Sequence, residues 1–231
     1  MDTERERPAK RIKVDYFDEV KVKFAFNQYD CVVHIPRNLI TGRSRHFEWA
    51  CSHNNYGQDG VVKLPYGKAV NKQSFSTYLQ ILHSGQVALD EHDGHSVDSR
   101  WSWLIEVYIL CDLLGDPESM NLVMDKLVLM TDKGESTKWK PILETVDSHT
   151  RGRVNPPLRR MLVDHLAERS CFSAFVDKSL TGGECPFLAE AAKEMAKRRD
   201  EGADAAGRIE VGERAGKKYH VEVRNASAAG R

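Results

Sequence analysis

No stretch of this sequence approaches the run of about eighteen apolar residues that crosses a bilayer, so no membrane-spanning helix is expected. An excess of one charge is also missing: 34 basic residues meet 34 acidic ones, and the formal net charge is zero. Nucleic-acid binding rests on clustered positive charge, so a chain with this balance is not expected to bind DNA or RNA directly. Cysteine is scarce. Cys31, Cys51, Cys111, Cys171 and Cys185 are odd in number, widely spaced and never arranged as C-x-x-C. That fits reduced thiols in the nucleus or cytoplasm and argues against a disulfide framework. The opening MDTERERPAKRIKVD is charged where a secretory signal needs an apolar core. Secretion is therefore not expected, and without it the glycosylation pattern Asn225-Ala226-Ser227 has no use.

Catalytic and metal-binding constellations are equally thin. His92-Asp93-Gly94-His95 brings two imidazoles together, but a tetrahedral metal site wants four ligands, and the stretch reads as a solvated polar loop. Cys171 and Cys185 lie within reach of His165 in sequence, yet only Arg169 is at hand to lower a thiol pKa. Gly182-Gly183 lacks the Lys-Ser/Thr of a phosphate-binding loop. Arg151, Arg153, Arg159 and Arg160 form a basic cluster without the aromatics that stack bases. Arg159 and Arg160 are expected on the wet face of a helix, paired with Asp164 or Glu168. No cofactor, no metal and no catalytic residue is expected, and the chain reads as a binding protein, not an enzyme.

What is present is a change of period along the chain. Residues 1–17 are charged and aperiodic and are expected to form a flexible arm. Within it Lys10, Arg11 and Lys13, in PAKRIKVD, follow the basic pattern of short nuclear import signals. From Val20 to Phe26 apolar residues alternate strictly, which predicts a half-buried strand. Cys31–Ile35 is the expected return strand, and Val61–Leu64 a third. Pro36 breaks the second strand, and a compact helical run with Leu39, Ile40, Phe47 and Trp49 follows, divided at Gly42. From Asn71 the period becomes helical, with Phe75, Tyr78, Leu79 and Leu82 on one stripe. Gly85 ends this helix, and Gln86–Leu89 is expected as a short edge strand. Trp101–Leu114 shows a broad apolar face and stops at Gly115. Asp116-Pro117 then restarts a helix, with Asp as cap and Pro at the first helical position. Further helices are expected around Trp139–Val146, from Pro157 through PLRRMLVDHLAERS, and over Pro186–Arg199. Residues 200–231, rich in Ala, Gly and charge, are expected to be disordered.

The order strand, His34, Leu39, Ser44, Phe47 resembles the opening of a BTB/POZ domain. FSTYLQILHSGQV and WLIEVYILCDLLGDPESMNLVMDKLV are similar to later blocks of the same family, in the same order over residues 18–130. The helix PLRRMLVD resembles the C-terminal extension of BTB proteins from filamentous fungi. The resemblance implies an α+β fold, a small three-stranded sheet with flanking helices and helical hairpins, and a mostly helical extension over residues 131–199. It further implies a module that associates with itself through its first strand and helices, residues 18–50. Val20, Val22, Phe24, Leu39, Phe47 and Trp49 are the contact candidates there. His34 is implied to be structural, bonding backbone at its strand's end. A cullin scaffold, for a ubiquitin-ligase adaptor, would meet the helix Asn71–His83 and Trp101–Leu114, with Leu82, His83 and Trp101 as candidates. His83-Ser84-Gly85 departs from the family's usual Tyr-Thr-Gly at that surface. The alternative implied is a nuclear co-regulator or scaffold that pairs, or recruits a corepressor, without ubiquitin transfer.

Overall fold

Strict alternation at the start of the chain builds the sheet. In the computed structural model, β1 (Glu19–Phe26) turns Val20, Val22 and Phe24 inward, where each is 5% exposed or less. β2 (Tyr29–Pro36) returns antiparallel, with Val33 opposite Val22 and Ile35 opposite Val20. β3 (Val61–Lys63) adds on the other side in parallel, with Val62 beside Val22. The strand order is β2-β1-β3. The structure describes residues 14–26, 29–52, 61–64, 71–88, 97–131, 139–151, 156–168, 190, 192–194, 196–197 and 219–221.

The helices start and stop where local chemistry dictates. Pro36 closes β2, and α1 (Arg37–Thr41) and α2 (Arg45–Ser52) follow with a break at Gly42. Their inward residues are Leu39, Ile40, Phe47 and Ala50. α3 (Lys72–Ser84) opens on a reciprocal cap: Asn71 Oδ1 accepts from the Ser74 amide at 2.9 Å, and Ser74 Oγ accepts from the Asn71 amide at 3.3 Å. It ends at Gly85, whose φ of 69° is the left-handed conformation that glycine adopts without a Cβ penalty. α4 (Val97–Leu114) begins a turn before Trp101. α5 (Pro117–Thr131) begins as the Asp-Pro pair predicts, with Asp116 Oδ1 accepting from the Ser119 amide at 2.9 Å.

α4 is the central helix. Ile105, Ile109 and Leu110 are buried along with Leu104, Val107, Tyr108, Cys111 and Leu114, so its apolar surface runs around the helix and is not confined to the one face the spacing suggests. A helix that is apolar on all sides must be enclosed; here α2, α3 and α5 pack on it, and so does α6 (Trp139–Thr150). α7 (Pro157–Glu168) packs on α5 and α6. The Trp101 ring stacks on His165 with centroids 6.1 Å apart, and His149 Nε2 pairs with Asp112 Oδ2 at 2.7 Å. Ile142, Leu143, Leu158 and Leu162 thus join the same apolar core as the sheet.

Three expectations are revised. Gln86, Val87 and Ala88 form no strand, and Leu89 lies outside the described residues. Val14–Phe17, expected in the flexible arm, are held, and Val14 packs against the core. Tyr219–Val221, within the expected disordered tail, sit against the helices with Tyr219 fully buried.

Candidate interaction surface

The loop between α1 and α2 is locked to the turn between α4 and α5. Ser44 Oγ donates to the Leu114 carbonyl at 2.6 Å and accepts from the Phe47 amide at 3.3 Å. It therefore caps α2 while satisfying one of the end carbonyls that α4 cannot bond internally. The Arg45 amide donates to the Gly115 carbonyl at 3.4 Å. Arg43 Nη2 donates to Ser119 Oγ at 3.0 Å, and Ser119 Oγ donates to Asp116 Oδ2 at 2.7 Å. Arg43 Nε lies 3.5 Å from Asp116 Oδ2 and 3.4 Å from Glu118 Oε2. The Arg43 side chain is 9% exposed and Asp116 fully buried, so this is an ion pair removed from water. Burial pushes the Tyr78 hydroxyl and the Cys111 thiol well above their ordinary pKa ranges, and the Asp116 charge pushes both further. The Cys111 thiol therefore stays protonated and unreactive at neutral pH.

This lock ties the α1–α2 loop to the α4–α5 turn, and among the described residues the apolar surface open to water lies mostly before α3. Among the described residues five large hydrophobics are exposed, and four of them, Tyr16, Phe17, Val32 and Trp49, precede α3; the fifth is Leu129. The Tyr16–Phe17 segment is not loose. The Asp15 amide donates to Asn38 Oδ1 at 3.2 Å, the Phe17 amide to Asp15 Oδ1 at 3.0 Å, and the Arg37 amide to the Asp18 carbonyl at 2.7 Å. Arg37 Nε also donates to Asp18 Oδ1 at 2.9 Å. A segment tied down by these bonds nevertheless leaves Phe17 100% exposed and Tyr16 63% exposed. The segment leads into β1 at the end where Pro36 of β2 lies opposite Glu19, and β2 among the described residues has a strand neighbour on one side only.

The contact candidates divide between core and surface. Val20, Val22, Phe24, Leu39 and Phe47 are buried in the chain's own core, as is Leu82, and none offers a side chain to a partner. Trp49 is 56% exposed and His83 is exposed at the end of α3. Trp101 is 2% exposed against His165 and is no surface anchor; Trp103 is half-buried and donates from Nε1 to Thr77 Oγ1 at 3.1 Å. His34 does not bond backbone but meets Glu19 Oε2 through Nδ1 at 3.0 Å on the outer face of the sheet. Arg159 pairs with Asp147 and Glu190, which holds Asp147 below the usual carboxylate range, and the side chain of Glu168 lies outside the described residues. Arg160 lies over the Tyr219 ring, 5.5 Å from its centroid. Lys10, Arg11, Lys13, Cys171, Cys185 and the His92–His95 stretch lie outside the described residues. Tyr16, Phe17 and Val32 were not singled out by the sequence; two adjacent aromatics in a charged stretch were the available signal.

Among the described residues no group of three His, Cys, Asp or Glu side chains is placed to hold a metal ion, and no helix is long and apolar enough to cross a membrane. No protein-family model matches the chain, and a search of curated proteins finds no significant similarity. The functional reading therefore rests on residues and geometry.

Proposed function

We propose that this chain is a protein–protein interaction module of the BTB/POZ kind that pairs with a second copy of itself through the surface of Tyr16, Phe17, Val32 and Trp49. One observation carries the proposal: of the five exposed large hydrophobics among the described residues, Val32 and Trp49 lie within residues 18–50, the pairing region that the resemblance implies, and Tyr16 and Phe17 directly precede it on backbone already held in place. Exposed large apolar side chains are candidates for contact, and aromatic side chains dominate the energetics of such contacts. A symmetric pair makes one patch meet itself, so each aromatic counts twice. The open edge of β2 supplies backbone groups that a second β2 can bond.

Sedimentation velocity over a dilution series tests the reading. The wild-type chain is expected to pair. Phe17→Asp combined with Trp49→Asp is expected to weaken pairing by at least about a hundredfold, taking roughly 1.5–3 kcal/mol for each large apolar side chain buried. Because both side chains are exposed in the single chain, its circular dichroism is expected not to change. Val22→Asp, which places a charge in the core, is expected to unfold the chain instead. A wild-type chain that stays monomeric at high concentration, or a double variant that pairs normally, refutes the proposal.

A further inference from the structure

We propose that the groove between α5 and α7 is a recognition site for a short peptide bearing tyrosine, histidine and an aliphatic residue in succession, and that the chain's own Tyr219–Val221 fills it as an intramolecular competitor. The groove is made of two matched helix faces. Asn121 and Asp125 stand four residues apart on α5, as Arg160 and Asp164 do on α7, so each pair projects from one side of its helix. Asn121 reads backbone and not side chain: its Oδ1 accepts from the Val221 amide at 2.7 Å and its Nδ2 donates to the Val221 carbonyl at 3.0 Å. One amide thus satisfies both main-chain groups of one residue, a contact that does not depend on that residue's side chain.

Specificity comes from the two residues before it. Tyr219 is fully buried, its hydroxyl donates to Asp164 Oδ2 at 2.6 Å, and Arg160 covers its ring. Asp164 is itself 5% exposed, and a buried carboxylate without that donor is costly. His220 Nε2 meets Asp125 Oδ1 at 2.7 Å. Leu129 continues the α5 face one turn beyond Asp125 and is exposed, so the apolar part of the face extends past the three seated residues. A main-chain clamp, a buried aromatic socket and an acidic subsite in sequence constitute a peptide-reading site. The tail occupies it by virtue of being tethered, which gives it an effective concentration on the order of millimolar.

The test uses the full chain and a labelled peptide spanning residues 216–224, followed by fluorescence anisotropy. The peptide is expected to bind Tyr219→Ala/His220→Ala, whose own tail keeps only the Val221 main-chain clamp, at least about a hundredfold more tightly than it binds wild type, where the whole tail competes. Adding Asn121→Ala to that variant is expected to weaken binding by about tenfold or more, and a peptide with Phe in place of Tyr219 likewise. Because emptying the buried Tyr219 position risks unfolding the chain, a second form carries a protease site after Ala206 and is cut only after folding. Excess peptide is then expected to displace the released tail. A peptide that does not bind the tail-released chain, binding indifferent to Asn121→Ala, or a cut tail that never exchanges overturns the proposal. Pairing that disappears on Tyr219→Ala places the tail in a second copy and overturns its intramolecular part.

Discussion

Replacing Asp116 by alanine tests whether the lock between the α1–α2 loop and the α4–α5 turn holds the two halves of the core together. The carboxylate does two things in this fold. It caps α5 through the Ser119 amide and hydroxyl, and it neutralises Arg43, whose side chain is 9% exposed. Losing a cap costs about 1 kcal/mol. Leaving a buried charge without its partner costs about 3–5 kcal/mol, and Glu118, 57% exposed and still 3.4 Å from Arg43 Nε, puts the cost at the low end. The expected total is about 4 kcal/mol, a large part of the roughly 5–15 kcal/mol that holds a domain folded. Urea unfolding followed by circular dichroism reads it directly: with a slope of about 2 kcal/mol per molar urea, the midpoint falls by about 2 M. The double variant Arg43→Met/Asp116→Asn keeps a capping oxygen and removes the buried charge, so its loss is expected to be only about 1–2 kcal/mol. A midpoint shift below about 0.5 M for Asp116→Ala, or a double variant as unstable as the single one, would falsify this account.

Gly115→Ala forces a side chain into φ +64° and sets its Cβ 3.2 Å from Arg45 Cβ, whereas Gly85→Ala at φ +69° meets nothing within 4 Å. The second is expected to cost about 1 kcal/mol of backbone strain and the first more, so a calorimetric Tm that falls equally for both removes the crowding term. Glu106 is raised in pKa by burial, an effect opposed by the 2.8 Å hydrogen bond from Asn71 Nδ2. A raised carboxyl contributes stability that is complete below its ordinary value of 4.5 and lost as pH rises through the folded value. Glu106→Gln keeps the acceptor for Asn71, so it is expected to raise Tm at pH 7 and to lose that gain toward pH 4; a lower Tm at pH 7 refutes the assignment.

Much of the fold was legible because local rules and tertiary demand agree. Alternation over Val20–Phe26 places the inward face of β1 correctly, and the Asp116-Pro117 and Asn71 starts hold to the residue. Spacing could not reveal that α4 is packed on by α2, α3, α5 and α6 around most of its circumference, because periodicity marks the most apolar face and is silent about what packs on the others. It also overstated Gln86–Leu89: a short apolar run after Gly85 has strand-like composition, but a strand needs a neighbour to bond, and composition does not supply one. Composition could not show that β1 takes the centre of the sheet and leaves β2, among the described residues, with a neighbour on one side only. The contact candidates divide between core and surface for one reason. A large apolar side chain in a sequence is equally a core residue or a contact residue, and only exposure separates Trp49 from Trp101.

That ambiguity also explains why both surfaces proposed here lie at positions composition discounts. Tyr16 and Phe17 follow a charged arm and Tyr219 sits in a stretch rich in Ala, Gly and charge, so window averages hide single aromatics at each place. The two surfaces nonetheless differ in kind. The N-terminal patch presents apolar area with few polar partners and suits a broad contact with a like surface. The α5–α7 groove buries one ring and places a partner for the Tyr219 hydroxyl, the His220 imidazole and both main-chain groups of Val221, which suits a short, chemically specified one. Their determinants share no residue, and effects at sites without shared partners add. Phe17→Asp/Trp49→Asp should therefore leave peptide binding in the groove unchanged, and Asn121→Ala should leave pairing unchanged. If each perturbation moved the other readout, the chain would carry one coupled surface, and the division argued from exposure and hydrogen bonding would fail.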